Sequence, residues 1–392
     1  MHIAWLGKKT PFCGNVTYSR EITNALLDRG YQVSFLHFAQ ESSLGESDSE
    51  CQEVPLPFIY KSQVYTIPTL RSNKVLFQSL QELKPDLVHA SLTLSPLDFL
   101  LPEICEELHL PLVATFHPAF GRKRRNLTSG TQHFMYQLYA PFLANYDRVI
   151  IFSQGQGELL IRLGVPEERL VIIPNGVDVD KYSPGPSNFK SELNAEQIFV
   201  YQGRIAAEKN VESLLQAWSQ VDMGTSKLVI VGDGPLAASL MPYYGPEHGI
   251  LWLGSVANEK RRVEILRGAD VFILPSFVEG LSLSLLEAMA CGLACLATDA
   301  GADGEVLEAG AGVTLHTQQV NSQLRTLLPL FRDHPEFAQL MGQKARQRVL
   351  ERYSLSRNIT SLERLYAQVI QKPRLPLKTF KGSSSNFGRS VR

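Results

Sequence analysis

At 392 residues the chain is too long for one ordinary core and suits two domains of roughly 150–200 residues each. With 44% hydrophobic and 20% charged residues and a net charge of −1, it has a globular composition, and no global field draws it to nucleic acid. Five cysteines, at 13, 51, 105, 291 and 295, make no disulfide framework, so a reducing compartment is expected. Cys291 and Cys295 have no second pair or nearby His to complete a zinc site and read as buried thiols.

The opening Met1-His2-Ile3-Ala4-Trp5-Leu6-Gly7 reads directly as a strand and lacks the parts of a signal peptide. No uninterrupted apolar run approaches the ~20 residues of a spanning helix, so a soluble or peripheral protein is expected. Further strands are predicted at 31–38, 86–90, 112–116 and 148–152, with a helix at 16–29 ending at Gly30. The turn Pro174-Asn175-Gly176 and the linker Ser183-Pro184-Gly185-Pro186-Ser187 then punctuate the chain. Strands resume at 197–202, 227–231, 250–253, 270–274 and 294–297, and 335–371 is helical in composition. Alternating strand and helix in both halves predicts two doubly wound α/β domains. The division expected is 1–183, 184–354, a helical segment 355–371 crossing back to the first domain, and a basic tail 372–392 with no acid after Glu363. Such a tail is expected to be mobile, either solvated or in weak contact with an acidic surface.

Five loops carry candidate chemistry. Gly203-Arg204-Ile205-Ala206-Ala207-Glu208-Lys209-Asn210 links a strand to a helix beginning near Val211. A strand's carboxyl end feeding a helix is where open α/β sheets bind ligands, and an Arg fork with a mobile Lys suits two phosphates. Read alone, the two cations could equally be surface charges pairing with Glu208. The run Glu279-Gly280-Leu281-Ser282-Leu283-Ser284-Leu285-Leu286-Glu287 follows another strand. Its two carboxylates can each accept hydrogen bonds from vicinal hydroxyls, as in a ribose and a hexose. Glu287 falls in an otherwise apolar helix, where a charge without a polar partner is unfavourable. Gly232-Asp233-Gly234-Pro235 is a glycine turn at a strand end, and Gly14-Asn15 opens the first helix; each alone is also an ordinary turn. His117 ends the strand Leu112–Phe116, pointing into a crevice or sitting as a satisfied loop histidine.

These residues together resemble the retaining glycosyltransferases of family 4, which have the GT-B fold: two Rossmann-like domains facing a central cleft. The resemblance covers roughly residues 1–370 and is strongest over 198–305. It implies that Arg204 and Lys209 neutralise a departing nucleoside diphosphate and that Glu287 binds the ribose. Glu279 would hold the donor sugar, helped by the backbone of Gly280, Leu281 and Ser282. His117 would lie near the reacting carbon, with Gly203, Gly232, Gly14 and Asn15 around the phosphates. The family implies no metal and no cofactor; the nucleotide sugar is a substrate. Asn15, Ser282 and Ser284 depart from the glycine, glycine and proline usual there, which leaves the sugar's identity open.

The acceptor belongs to the first domain in this fold. There Arg122-Lys123-Arg124-Arg125 precedes His133, Phe134, Met135, Tyr136, Leu138, Tyr139 and Phe142, a basic and aromatic stretch suited to an anionic membrane or to packing on its own domain. The stretch Trp5–Tyr18 also resembles the cyanobacterial-type digalactosyldiacylglycerol synthases, which add galactose from UDP-galactose to monogalactosyldiacylglycerol. That resemblance implies a cytoplasmic enzyme peripheral on the thylakoid or plasma membrane, with a UDP-sugar and a glycolipid as partners and no nucleic acid. The rival readings are the same chemistry on a soluble saccharide or metabolite, a nucleotide-sugar binding protein without turnover, and a nicotinamide-dependent oxidoreductase, against which the missing G-x-G-x-x-G argues.

Overall fold

The structure is a computed structural model that describes residues 1–10, 14–39, 51–62, 65–118 and 127–371, with side chains described from 133 in the helix Leu127–Leu143. The Arg122–Arg125 cluster and the tail 372–392 lie outside the described residues.

The first half contains β1 His2–Gly7, β2 Gln32–Phe38, β3 Gln52–Leu56, β4 Phe58–Lys61, β5 Thr66–Pro68, β6 Leu87–Ser91, β7 Leu112–Thr115, β8 Arg148–Ile151 and β9 Leu170–Ile172. The second contains β10 Ile198–Gln202, β11 Lys227–Val231, β12 Ile250–Gly254, β13 Val271–Leu274, β14 Ala294–Thr298 and β15 Val313–Leu315. All but β4 and β5 form two sheets, ordered β3-β2-β1-β6-β7-β8-β9 and β12-β11-β10-β13-β14-β15, with every neighbouring pair parallel. The central strands are buried along nearly their whole length and largely apolar, as strands covered on both faces are. In each sheet the order reverses beside its first strand, at β1/β6 and at β10/β13. Loops leaving the carboxyl ends of those strands open a crevice there, the position at which doubly wound sheets take ligands. The two Rossmann-like domains read from the sequence are thus both present.

Five strands escaped the sequence reading. β9 and β15 are three-residue edge strands, too short for an apolar run to register, and β3 carries Glu53 and Pro55, which an edge tolerates. β4 and β5 form a separate antiparallel hairpin on the carboxyl edge of the first sheet. The helical stretch 335–371 is two helices, Pro335–Arg352 and Leu355–Gln371. They part at Tyr353 and Ser354, whose backbone pairs with Val177 in the interdomain turn. The second helix lies against the first helix of the chain, Gly14–Asp28: Arg29 donates to Ser356, Thr360 and Glu363, and Tyr366 meets His89.

Candidate active site

The loops at the two reversal points face each other across a cleft of about 700 Å³. Every residue that the sequence assigned to the catalytic and donor set lines it: Gly14, Asn15 and His117 from the first domain, and Gly203, Arg204, Lys209, Gly232, Glu279, Gly280, Leu281, Ser282 and Glu287 from the second.

β10 delivers the basic pair. Its buried Ile198-Phe199-Val200-Tyr201 run ends at Gly203, and a short turn Ala207–Lys209 leads into the helix Val211–Ser219. Gly203 and Gly232 make the cleft floor: Gly232 has φ +134°, and a Cβ there would fall 1.9 Å from the Gly203 carbonyl oxygen. The two cations have different partners. Arg204 is exposed and pairs with Glu208 at 3.6 Å. Lys209 turns instead to Glu279, with Nζ 2.6 Å from Oε1. Burial alone would lower the Lys209 ammonium, but the Glu279 carboxylate reverses the sign and holds it above its ordinary value.

β13 delivers the acidic run. Glu279 is buried and also accepts from Ser276 Oγ at 2.7 Å. Gly280 approaches the other wall: a Cβ on it would lie 3.1 Å from the His117 carbonyl oxygen. Ser282 caps the helix Leu283–Ala290, accepting from Leu285 N–H. That helix carries Glu287, whose carboxylate accepts from Gln202 Nε2 at 2.8 Å and from the Tyr182 hydroxyl. Burial pushes the Glu287 carboxyl up to about 7, against the pull of Arg262, Tyr182 and Gln202.

The first domain's wall is neutral around His117, and Arg20 and Glu21, charged residues of its lining, pair with each other at 3.0 Å. His117 Nε2 lies 2.8 Å from Ser91 Oγ, and Ser91 donates to Asn15 Oδ1 at 2.9 Å. Asn15 Nδ2 donates to the Leu92 carbonyl, so its amide is committed to its own domain. Burial, with Lys8 nearby, pushes His117 down to about 3, and the ring is neutral at physiological pH. Gly14 begins the first helix with open space around the position of a Cβ.

Sequence reasoning missed three partners. Asp303 is wholly buried, accepts the Ser282 N–H at 2.9 Å and leaves its other oxygen unbonded. Burial and the charge of Glu279 hold its carboxyl well above the ordinary range. Gln202 and Tyr182 are the polar neighbours that Glu287 requires; a Gln ending the apolar run Ile198–Tyr201 was the available signal. Cys291 and Cys295 are buried thiols, as read.

Residues 187–348 match the family of Glycosyl transferases group 1, and residues 13–181 match Glycosyltransferase Family 4. The chain belongs to the group 1 / family 4 glycosyltransferases. This glycosyltransferase is 25% identical over 325 residues to the Escherichia coli UDP-Gal:alpha-D-GlcNAc-diphosphoundecaprenol alpha-1,3-galactosyltransferase, a match covering 78% of this chain and 81% of that one. It is 24% identical over 360 residues to sulfoquinovosyl transferase SQD2 of Arabidopsis thaliana, covering 87% of this chain and 66% of that one. Other curated relatives, two of them from Bacillus, are matched over about half their length, 47% and 46%. Among solved structures, Anabaena Alr3699/HepE in complex with UDP superposes with a TM-score of 0.77 at 17% identity, covering 94% of this chain and 100% of that one. The likeness establishes the GT-B fold of the glycosyltransferase.

Proposed function

We propose that this glycosyltransferase moves a hexose, galactose from UDP-galactose, with retention of configuration onto a glycolipid hydroxyl, monogalactosyldiacylglycerol being the acceptor that yields a digalactolipid. The observation that carries the reading is one cleft whose second-domain wall gathers Arg204, Lys209, Glu279 and Glu287 and whose first-domain wall is neutral around His117. Arg204 and Lys209 stand where a leaving diphosphate gains charge, and preorganised cations act there without reorganisation in a site shielded from water. Glu287 accepts from the ribose hydroxyls, and Glu279, fixed by Lys209 and Ser276, accepts from the sugar. The neutral His117 lies beside the reacting carbon, able to hydrogen bond without opposing a developing oxocarbenium charge. Retention follows from front-face attack, the leaving phosphate accepting the acceptor's proton. No resident metal takes part in this reading, and full activity in excess chelator is the expected result.

Support for the nucleotide and the lipid comes from relatives whose names carry them: the Escherichia coli enzyme names UDP-Gal and a diphosphoundecaprenol acceptor, and Alr3699/HepE was crystallised with UDP. Among the described residues, no helix is long and apolar enough to cross a membrane, consistent with an enzyme that meets its lipid at the surface. The test is transfer of label from UDP-galactose or UDP-glucose to vesicles containing monogalactosyldiacylglycerol, followed by lipid extraction. A labelled digalactolipid from UDP-galactose alone supports donor and acceptor together. Label that reaches only a soluble saccharide removes the lipid, and UDP binding without transfer to any acceptor removes the enzyme.

A further inference from the structure

The hairpin β4–β5 and its flanks expose large apolar side chains. Ile59 is 71% exposed, Tyr60 48%, Tyr65 46% and Ile67 40%, and Leu70 just beyond is completely exposed. Single exposed apolar residues are ordinary, but five within one short hairpin and its exit form a patch. The rings of Tyr60, in β4, and Tyr65, just before β5, lie 5.5 Å apart.

The inner side is pinned. Thr66 N–H donates to the Leu94 carbonyl, Lys61 Nζ donates to Thr10 Oγ1 and the Phe38 carbonyl, and Ser72 Oγ donates to the Pro57 carbonyl. Those anchors lie in loops at the carboxyl edge of the first sheet, the edge that opens onto the cleft. The hairpin is therefore a fixed ledge beside the acceptor side of the site.

Charge completes the pattern. Between Glu53 and Glu82 the sequence has no acid, while Lys61, Arg71 and Lys74 are basic. Arg71 and Lys74 are exposed next to Leu70. Glu53, at the base, is taken up by Lys9 and His37. Apolar tips, paired tyrosines and the exposed cations Arg71 and Lys74, in a stretch with no acid between Glu53 and Glu82, match the three layers of an anionic membrane surface: acyl boundary, headgroup level and surface charge. A second copy of the chain fits poorly, because a two-fold contact through this patch would bring two cationic surfaces together with no acid between Glu53 and Glu82 to answer them.

We propose that the β4–β5 hairpin, with Leu70, Arg71 and Lys74, is a docking element that seats the enzyme on an anionic lipid surface and brings a membrane-held acceptor to the first-domain side of the cleft. Its purpose rests on the glycolipid reading, whereas its geometry does not.

The test is flotation of the full-length protein with vesicles of phosphatidylglycerol and phosphatidylcholine, compared with phosphatidylcholine alone. Replacing Ile59, Tyr60, Ile67 and Leu70 together by Ser, all exposed and costing little to the fold, is expected to weaken binding at least about tenfold, since interfacial affinity scales with buried apolar area. Arg71→Glu with Lys74→Glu is expected to lose about fivefold per cation removed, on anionic vesicles only and less at high salt. Hydrolysis of UDP-hexose should be unchanged in both. Tyr60→Trp gives a readout that needs no loss: its emission should shift to the blue on anionic vesicles and be quenched by brominated lipid. Wild-type flotation of the Ser variant, or a Tyr60→Trp emission that ignores bound vesicles, overturns the proposal. Transfer to acceptor dispersed in detergent separates it from the reading on which it rests. A Ser variant active in detergent but not on vesicles supports docking. A wild type that glycosylates detergent-dispersed lipid yet does not float overturns docking and leaves the acceptor. A wild type that floats through the hairpin yet glycosylates only soluble saccharides upholds docking and overturns the acceptor.

Discussion

The two walls of the cleft hold their polar groups by opposite means. On the second-domain wall charge meets charge: Lys209 lies against Glu279, with Asp303 behind and Glu287 held by Gln202 and Tyr182. On the first-domain wall Asn15, Ser19, Ser91 and His117 form a neutral chain, and behind it Tyr18, Thr115, His89 and Tyr366 form another. In the proposed reaction the wall that receives a departing diphosphate uses fixed ions, whose field is already in place when charge develops. A wall that must orient a hydroxyl uses dipoles, which guide without competing for that charge.

The comparison is broken most forcefully at Lys209. Lys209→Ala is expected to slow turnover by about 10²–10³ and to lower Tm as well, because it leaves the buried Glu279 carboxylate without its cation. Arg204→Ala should slow turnover by a similar factor while leaving Tm unchanged, since its ion pair with Glu208 is an exposed one. Near-native kcat in either variant takes that residue out of the leaving-group role, and equal Tm losses in both would erase the distinction between them.

A second effect is read through pH. Burial raises the Glu287 carboxyl from 4.5 to about 7. Between those values the native state keeps a proton that the unfolded chain has released, so this group's stabilising contribution is complete below 4.5 and is lost as pH rises through 7. Wild type should therefore lose Tm relative to Glu287→Gln between pH 5 and 8. UDP affinity should rise severalfold over the same interval as the carboxylate forms, and stay flat in the Gln variant. A flat wild-type binding profile would detach Glu287 from the ribose.

The charged wall was legible in the sequence for the reason these variants exploit. Glu287 stands in an apolar helix and Lys209 at a strand-to-helix turn, so each announces a need for a partner within one continuous stretch. The partners themselves were less legible. Glu208 is adjacent to Lys209 in sequence, yet it pairs with Arg204, and Lys209 reaches Glu279, 70 residues away. Asp303, Tyr182 and Gln202 come from separate elements and meet only once β10, β13 and β14 are aligned. The neutral wall was the least legible: His89 and Ser91 sit on β6, and only the sheet order makes them neighbours of Thr115 and His117, at the end of β7 and just beyond it. The central strands stood out as apolar runs, whereas the edge strands β3, β9 and β15 and the β4–β5 hairpin, short or mixed in composition, did not.

The neutral wall is sharpened by a smaller change. Tyr366→Phe removes the hydroxyl 2.5 Å from His89 Nδ1 in a fully buried site and is expected to cost about 1–3 kcal/mol of stability, read in denaturant unfolding, with UDP affinity unaltered. An effect confined to UDP binding would mean that the two walls are not separate systems. The smallest effect is expected at Lys181, which bridges Glu21 of the first domain at 3.7 Å and Glu259 of the second at 3.3 Å. Exposed pairs contribute about 0–1 kcal/mol, so Lys181→Ala should raise KM slightly, leave kcat alone and become indistinguishable from wild type in high salt. A large fall in kcat there would show that the two walls are held together by this bridge.

The helix Leu355–Gln371 has a consequence for how the molecule is made. Its Tyr366 meets His89 across 277 positions of sequence, and its first turns hold Arg29, at the end of the first helix. Domains usually fold in the order of their synthesis, the amino-terminal one first. Here the opening sheet must wait with one flank uncovered, His89 lacking its hydroxyl partner, while all of the second domain is translated. Contacts of such long range also slow folding, because loop closure comes before any gain from the contact. Of these two domains, the one made earlier is thus the later to be finished, since the helix that packs on it is made last among the described elements.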